Sequence, residues 1–291
     1  MNVRVIANPI AGGGRGRIMA ETLCQALQGR VETVDLILTT KAGESRAAAN
    51  RPGADCVVAV GGDGSVNEVA NGLGESDTLL AILPAGTANV VARELRIPSD
   101  PAALAALIAA RQVRWMDVGV HGDRRFLLGA GAGLDAAVAE RVARQRGKRS
   151  SLSKWVWPSI ATVRTYTFPE FRVIVDGHVL TDRAQYAIVG NCRYSAGIFP
   201  ATPEARIDDG LLDVCVLQNL GLLRLLGLLS SARRGTHIHR KDVVYRQGRS
   251  VELRPLSDER VPLQVDGDAA SHLPAVFGVI PKAVQVVAPG E

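Results

Sequence analysis

Two glycine-containing segments, each between an apolar run and a helix-like stretch, constrain the fold of this chain most. Gly61-Gly62-Asp63-Gly64-Ser65-Val66-Asn67-Glu68 follows the apolar run at 55–60, and Pro84-Ala85-Gly86-Thr87-Ala88-Asn89 follows the run at 79–83. Glycine permits a tight turn and leaves backbone N–H groups uncovered, while the next helix adds the positive end of its dipole. Turns built in this way bind phosphate groups.

The first third of the sequence alternates between apolar runs and helix-like stretches. We predict strands near 3–7, 33–38, 55–60 and 79–83, and helices near 16–29, 44–51, 65–73, 88–96 and 101–110. This order is typical of a Rossmann-like parallel α/β sheet with helices on both faces. Ser65 and Glu68 have the spacing of a capping box, which predicts that Ser65 caps the third helix.

After about residue 113 the pattern changes to short β-rich runs. We predict strands at 171–175, 186–190, 211–217, 250–253 and 261–265, interrupted by helices around 135–145 and 152–166. Such spacing is typical of an antiparallel β-sandwich. The predicted domains are therefore 1–115 and 116–291, with the last residues free to pack back on the first domain.

Composition indicates a globular protein, with 47% hydrophobic and 22% charged residues among 291. The cysteines are scattered and form no C-x-x-C pair, so we expect neither a zinc site nor a disulfide framework, and a cytoplasmic location. No signal peptide is predicted. The longest apolar segment, 220–229, is shorter than the roughly 20 residues that cross a bilayer, so we predict a buried helix there.

The net charge of +5 favours anionic partners. Basic residues cluster at 141–149, and Ser153-Lys154-Trp155-Val156-Trp157 follows, which together could form a patch that contacts a membrane surface. A solvated helix end is the alternative interpretation of this cluster. A second basic group, which contains His237 and His239, is interpreted as a solvated loop.

Asn8-Pro9-Ile10-Ala11-Gly12-Gly13-Gly14 follows the first strand, where a doubly wound sheet places nucleotide phosphates. The segment matches neither G-x-G-x-x-G nor the P-loop, so dinucleotide dehydrogenases and Walker-type NTPases lose support. Asp63 adds a carboxylate that would repel phosphate unless a cation or a hydroxyl lies between, so it indicates Mg²⁺ or an acceptor hydroxyl. A tight turn without a ligand, and a helix-capping role for Asp63, remain alternatives.

The ordered motifs of this chain resemble those of the diacylglycerol/sphingosine lipid kinase family, which contains the bacterial diacylglycerol kinase-like proteins. These motifs are Asn8-Pro9 with its glycine loop, Gly61–Glu68, Pro84-x-Gly86-Thr87-x-Asn89, Gly131-x-Gly133-x-Asp135-Ala136, Asp209-Gly210-Leu211-Leu212-Asp213 and Val265-Asp266-Gly267-Asp268. The resemblance implies an ATP-binding α/β domain, a C-terminal β-sandwich, and an interdomain cleft where the γ-phosphoryl group moves to a lipid hydroxyl.

The resemblance also implies which residues contact ATP: Asn8, Pro9, Ile10, Ala11, Gly12, Thr39, Gly61, Gly62, Asp63, Gly64, Ser65, Val66, Asn67 and Thr87. Thr40 is an alternative to Thr39. A structural Mg²⁺ is implied at the carboxylate of Asp209 and the backbone carbonyls of Arg206 and Leu211, a donor set that suits a hard cation. Without the resemblance, the segment around Asp209 could equally be a hairpin turn.

Two positions depart from the family pattern. Asp268 lies where the family has the glutamate that accepts the proton of the lipid hydroxyl, and Asp63 is the second candidate base. Val90 replaces an aspartate of a carboxylate network around the catalytic Mg²⁺, which would retain Asp63 and Asp117. Aspartate is one methylene shorter than glutamate, so at position 268 either the site is reshaped or the rate is low. Because phosphoryl transfer depends on positioning and charge neutralisation, the loss at position 90 should weaken Mg²⁺ organisation rather than abolish the reaction.

The predicted function is an ATP- and Mg²⁺-dependent kinase of diacylglycerol or a related lipid alcohol. We expect contact with a peripheral membrane surface and no nucleic-acid partner, and a homodimer is left open. The alternatives are a sphingoid-base or ceramide kinase, a weak or inactive regulator that binds nucleotide or lipid, and a kinase of a soluble acceptor such as NAD.

Overall fold

The computed structural model describes residues 1–144, 162, 165–194, 200–218 and 231–290. The chain divides into two compact units, one formed by Met1–Val118 with the segment that begins at Pro281, the other by Gly119–Ile280. No helix within these described ranges is long and apolar enough to cross a membrane. Outside them lie most of the helix expected at 152–166, the apolar segment 220–229, and the patch residues 145–149 and 153–157. The domain limits 1–115 and 116–291 stay a prediction.

The first unit alternates strands and helices as the sequence predicts. Its elements are β1 (Asn2–Ala7), α1 (Ala11–Leu27), β2 (Thr33–Leu38), α2 (Glu44–Ala49), β3 (Cys56–Gly61), α3 (Asp63–Leu73), β4 (Leu79–Pro84), α4 (Val90–Glu94) and α5 (Pro101–Ala109). Every residue of β3 is buried, as its continuous apolar run predicts for a central strand. The four strands predicted near 3–7, 33–38, 55–60 and 79–83 are confirmed.

The strand order β4-β3-β1-β2, with all pairs parallel, makes this unit doubly wound. The chain passes from β1 outward to β2 and then returns past β1 to β3, so the order reverses between β1 and β3. Right-handed crossovers place α1 on one face and both α2 and α3 on the other, and α1 packs with α5 while α2 packs with α3. Ligands of such sheets bind at the reversal point, beyond the carboxyl ends of the strands.

The second unit is antiparallel in every strand pair described for it. The remaining elements of the chain are β5 (Val113–His121), β6 (Arg124–Phe126), β7 (Gly129–Ala132), α6 (Leu134–Arg144), β8 (Phe171–Val175), β9 (His178–Gly190), β10 (Leu212–Gln218), a 3-10 turn (Thr236–His239), β11 (Val243–Gly248), β12 (Ser250–Pro255), β13 (Pro262–Val265), β14 (Asp268–His272) and β15 (Ala275–Val287). Beyond Pro281, β15 belongs to the first unit, where Val286 pairs with Leu80 of β4 in parallel.

A large hydrophobic core holds most strands of the second unit together, and a smaller cluster contains Cys215, Leu217 and Val243. Phe126, Phe171 and Phe277 are fully buried in the large core, and the rings of Phe126 and Phe277 meet edge to face with centroids 6.2 Å apart. The predicted fold class, a parallel α/β domain followed by an antiparallel β-sandwich, is confirmed. Sequence analysis missed β5, β6, β7, β11, β14 and β15.

Two local predictions are wrong. Helix α3 begins at Asp63 with Gly62 at its N-cap and no side-chain cap, so Ser65 lies inside the first turn and caps nothing. Glu68, the other half of the expected capping box, accepts a hydrogen bond from the Gly43 N–H at 3.0 Å.

In the second basic group, His237 is buried rather than solvated, and its Nε2 lies 3.0 Å from the carbonyl oxygen of Ala201.

Asp213 of β10 is a buried acid away from the predicted bases. It is fully buried, and its Oδ1 accepts hydrogen bonds from the Tyr245 hydroxyl at 2.5 Å and from Gln247 Nε2 at 3.1 Å. Burial raises the pKa of this carboxyl to about 6, because a charged group loses hydration there. The folded protein therefore binds a proton that the unfolded chain, with a pKa near 4, has already released.

We predict that Asp213→Asn removes a pH-dependent loss of stability. Since the folded pKa is raised, the free energy of unfolding of the wild type should fall as pH rises from about 4 through 6, then level off. Two pKa units correspond to about 3 kcal/mol. Denaturant unfolding of both proteins between pH 4 and 8 measures the difference, with the exposed Asp258→Asn as control. A wild-type minus Asp213→Asn difference that stays constant with pH would contradict the prediction.

Candidate nucleotide site and acidic hairpin

Three loops meet at the reversal point of the first unit, after β1, β3 and β4. The Asn8 N–H donates to the Val60 carbonyl at 3.0 Å, which ties the β1 loop to the end of β3. The Ala85 N–H donates to the Gly61 carbonyl at 2.9 Å, which ties the β4 loop to the β3 loop. The sequence predicts all three loops as phosphate-binding, and the structure brings them together.

The loops approach so closely that side chains are excluded between them. A Cβ atom on Gly12 would lie 2.3 Å from the carbonyl oxygen of Ala85, and one on Gly86 would lie 2.4 Å from the Cα of Gly62. Non-bonded atoms do not approach to such distances, so both positions require glycine. Backbone of the three loops therefore forms one continuous surface.

The outer side of this surface is open. Among the described residues, no atom outside the local backbone lies within 4 Å of the place where a Cβ would sit on Gly13, Gly14 or Gly64. Ile10 is 79% exposed, and Arg15, whose Nε donates to the Gly12 carbonyl at 3.1 Å, is also exposed. Sequence analysis did not single out Arg15, a cation beside uncovered backbone. The surface therefore suits an anionic ligand.

The other predicted contact residues lie close by with different exposure. Thr87 is exposed, Asn67 is half-buried, and Ser65 is half-buried behind Gly61. Thr39 is buried, and its hydroxyl donates to the Ala7 carbonyl at 3.2 Å. The hydroxyl of Thr40, the alternative, is exposed and contacts Glu44 Oε1 at 3.2 Å.

Asp63 joins two of the loops through a hydrogen bond. Its Oδ1 accepts from the Val90 N–H at 2.6 Å, so the carboxylate of the β3 loop lies at the N-terminus of α4. Burial raises the pKa of Asp63, while the N–H groups of Val90, Val91 and Asn89 act in the opposite direction. The capping role considered from sequence is thus present, but for α4 rather than for α3.

Asn89 is a site residue whose role sequence analysis did not assign. It has a left-handed backbone, with φ of 48°, and its Oδ1 accepts from the Gly86 N–H at 2.9 Å. Its Nδ2 donates to the Gly86 carbonyl at 3.0 Å, which closes the turn of the β4 loop. The sequence could have indicated this role, because asparagine tolerates a left-handed backbone and often bonds to nearby backbone groups.

The remaining acids of the expected metal network differ in their surroundings. The side chain of Val90 is buried, and Asp117 of β5 is fully buried with its Oδ1 accepting from the Lys282 N–H at 2.7 Å. Asp63 and Asp117 thus both accept bonds from backbone N–H groups of the first unit. A role for either acid at a catalytic Mg²⁺ stays a prediction.

In the second unit, Asp268 begins β14 immediately after a two-residue hairpin turn. Asp266 and Gly267 have φ of 51° and 84°, and Val265 pairs with Asp268 across the turn. Positive φ at both central residues defines a type I′ turn, for which Asp-Gly is a preferred sequence. The side chain of Asp268 is 83% exposed, and its Oδ2 lies 3.4 Å from Arg124 Nη2.

Asp266 anchors this turn to the start of β7. Its Oδ2 accepts from the Leu127 N–H at 2.9 Å, and its Oδ1 accepts from the N–H groups of Leu128 and Gly129 at 2.9 and 3.0 Å. Arg124 Nη2 also donates to the Val265 carbonyl at 2.9 Å. The turn thus presents Asp268 from a fixed backbone.

The predicted structural metal site lies in the segment before β10. Asp209 is exposed, and its Oδ1 accepts from the Leu211 N–H at 3.0 Å. Arg206 pairs with Asp208 at 3.4 Å. Among the residues described, no cluster of three or more His, Cys, Asp or Glu side chains could hold a metal ion. The expected donors, the Asp209 carboxylate with the backbone carbonyls of Arg206 and Leu211, are oxygen atoms of the kind that suit Mg²⁺, and a metal site here stays a prediction.

Fold and site together define a protein that joins a doubly wound α/β unit to an antiparallel β-sandwich. Residues 2–121 match the diacylglycerol kinase catalytic domain, and residues 129–288 match the YegS C-terminal NAD kinase beta sandwich-like domain. These matches cover nearly the whole chain. The chain belongs to the diacylglycerol kinase family, which confirms the resemblance read from its motifs.

Relatives extend over the full length of the chain. It is 29% identical over 299 residues to a diacylglycerol kinase of Staphylococcus carnosus, covering 98% of this chain and 94% of the relative. It is 28% identical over 302 residues to one of Staphylococcus aureus, covering 99% and 92%. A crystal structure from Bacillus anthracis, provisionally named a diacylglycerol kinase, has a TM-score of 0.78 and 25% identity, covering 99% of this chain and 97% of that one.

We predict that Gly86→Ala separates the loops after β3 and β4. The new methyl group would meet backbone rather than a movable side chain, so the variant should lose several degrees of thermal stability and about tenfold or more in affinity for ATP. Gly64→Ala is the matched comparison, because space is open there and alanine favours a helix by about 0.5–1 kcal/mol. Thermal unfolding measures the stability of the two variants, and ATP titration measures their affinity. Equal stability of the two variants would contradict the prediction.

Proposed function

We propose that this protein is an ATP- and Mg²⁺-dependent lipid kinase that transfers the γ-phosphoryl group to a hydroxyl of diacylglycerol or a related lipid alcohol. The observation that carries this proposal is the continuous backbone surface formed by the loops after β1, β3 and β4. It lies at the reversal point of a doubly wound sheet, where nucleotide phosphates bind. Family membership supplies the reaction class, since its named relatives are diacylglycerol kinases.

The loop surface is proposed to hold the phosphates of ATP through uncovered backbone and Arg15. On its open side, a phosphate could approach the backbone at Gly13, Gly14 and Gly64 without displacing a described side chain. Asp63, fixed by the Val90 N–H at 2.6 Å, is proposed to face the metal–phosphate group. Mg²⁺, when bound, neutralises charge on the transferring phosphoryl group.

Asp268 is proposed as the general base that accepts the proton of the lipid hydroxyl. Its exposure leaves the carboxylate accessible to an acceptor, and Arg124 Nη2 lies 3.4 Å from its Oδ2. As the acceptor oxygen bonds to the γ-phosphorus, its proton passes to Asp268, and ADP leaves with the bridging oxygen. The aspartate is one methylene shorter than the glutamate that the family resemblance implies at this position.

We predict that Asp268→Asn lowers kcat about 100-fold or more, because an amide cannot accept the proton. Purified protein, Mg²⁺–ATP and mixed micelles of diacylglycerol, a sphingoid base or ceramide provide the assay, with phosphorylated lipid as the product measured. Asp258→Asn, an exposed aspartate of the same unit, is the control and should keep wild-type kcat.

Product formation by the wild type with one lipid class would support the proposed function and name the acceptor. No phosphorylated lipid from any class, although ATP binding is demonstrated, would overturn it. Full activity of Asp268→Asn would instead leave the kinase assignment in place and remove Asp268 as base.

The segment around Asp209 is proposed to bind a structural Mg²⁺ through the Asp209 carboxylate and the carbonyls of Arg206 and Leu211. We predict that Mg²⁺ raises the unfolding temperature of the wild type by a few degrees, since a ligand that binds only the folded state stabilises it. Asp209→Asn should reduce this shift, whereas Asp208→Asn, next to it, should retain it. Equal shifts in both variants would contradict the site. Thermal unfolding without nucleotide measures the effect.

A further inference from the structure

A polar pair, the buried Gln264 and the half-buried Asp135, contacts the hairpin that carries Asp268. Gln264 of β13 is 6% exposed, and its Nε2 donates to Asp135 Oδ2 at 2.9 Å. Its Oε1 accepts from the Gly267 N–H at 2.7 Å. One side chain therefore connects the N-terminus of α6 with the central residue of the turn that precedes Asp268.

The direction of the Gln264 amide is fixed by its partners. The Gly267 N–H can only donate, so it must face the Gln264 oxygen, and the Gln264 NH₂ group must then face Asp135. Asp135 Oδ2 must accept that bond, and Oδ1 accepts from the Ala136 N–H at 2.8 Å. Both carboxylate oxygens are thus used as acceptors, which favours the ionised acid.

The neighbouring strand makes room for this pair. Gly131 of β7 lies opposite Gln264 in the sheet register. A Cβ on Gly131 would lie 2.0 Å from Asp135 Oδ2 and 2.7 Å from Gln264 Nε2. A side chain at position 131 would therefore prevent the contact between Asp135 and Gln264.

We propose that Gln264 is a positioning residue for Asp268, and that Asp135 orients Gln264 for this task. The proposal rests on the proposed function, in which Asp268 is the base. Asp266 fixes one side of the turn through three backbone N–H groups, and Gln264 fixes the other through Gly267. With both sides fixed, the Cα of Asp268 has one position. Loss of the Gln264 bond would free the Gly267 side of the turn.

Burial raises the pKa of Asp135 to about 6, although Gln264, Ala136 and the Tyr186 hydroxyl act in the opposite direction. Tyr186 of β9 and Tyr166 are titratable neighbours of this acid, and burial raises the pKa of both above its ordinary value. Both tyrosines therefore stay neutral between pH 6 and 8. Farther along α6, Glu140 Oε1 lies 3.3 Å from His272 Nε2 of β14, a contact that the wild type and the Gln264 variants share. A second acid placed beside Asp135 would add a new charge in this range.

The first test is Gln264→Met, which keeps the length of the side chain and removes both hydrogen bonds. We expect kcat to fall about 10- to 100-fold, since a displacement of about 1 Å in a catalytic group costs on that order, while KM for ATP and lipid changes less than threefold. Gln218→Met is the matched control, because Gln218 also donates a bond within the second unit, to Thr181 at 2.7 Å.

The second test is Gln264→Glu, which can still accept from Gly267 but places a carboxyl beside Asp135. Two close carboxyls share one proton at low pH and repel each other when both ionise. The ratio of variant to wild-type kcat should therefore fall as pH rises from 6 to 8. A ratio that is independent of pH, or a kcat of Gln264→Met equal to that of Gln218→Met, would overturn the proposal.

Hydrogen exchange separates this inference from the proposed function. Peptides containing Gly267 and Asp268 should exchange faster in Gln264→Met than in wild type or Gln218→Met, whether or not the protein phosphorylates a lipid. Unchanged exchange would overturn the positioning role. A wild type that exchanges as expected but phosphorylates no lipid would refute the kinase proposal alone.

Discussion

Direct backbone contact between the loops after β1, β3 and β4 is the constraint on which the first unit depends. Gly12 lies against the carbonyl of Ala85, and Gly86 lies against Gly62, in spaces that no Cβ can enter. The strand order brings these loops to one point, and glycine allows them to touch. Since the contact is made by backbone, the N–H groups on the open side keep a fixed spacing that does not depend on side-chain rotamers.

Asp63 illustrates how one residue serves both the fold and the site. Sequence alone placed it in a phosphate turn and left its role between metal, hydroxyl and helix cap. The structure shows its carboxylate bonded to the Val90 N–H at the start of α4. That bond uses the backbone of position 90, which explains why the valine there is compatible with an ordered loop. Compared with the aspartate that the family resemblance implies at position 90, valine removes a carboxylate but still provides the backbone N–H that Asp63 accepts.

The sequence predicts the parts of this structure that depend on local patterns. Continuous apolar runs predict β1 to β4, and glycine turns predict the three loops, because strand burial and tight turns leave local signatures. It failed for β14, since Asp268–His272 is largely exposed and lacks an apolar alternation. It also failed for the contact between Asp135 and Gln264, which lie 129 residues apart and meet because β7, the strand before α6, pairs with β13. The N-cap predicted at Ser65 is wrong for a similar reason. Helix α3 begins at Asp63, and the carboxylate of Asp63 bonds to the Val90 N–H of another helix, α4.

The fixed backbone of the hairpin limits what the shorter aspartate side chain at position 268 can reach. A flexible loop could move its backbone toward an acceptor and compensate for one missing methylene, about 1.5 Å. This turn is held by three N–H groups on Asp266 and by Gln264 on Gly267, so moving it breaks several partly buried hydrogen bonds, each worth about 1 kcal/mol. Under the proposed function, in which Asp268 is the base, the acceptor hydroxyl has to approach the carboxylate. A rigid hairpin with aspartate at position 268 would then select an acceptor hydroxyl that lies closer to the turn.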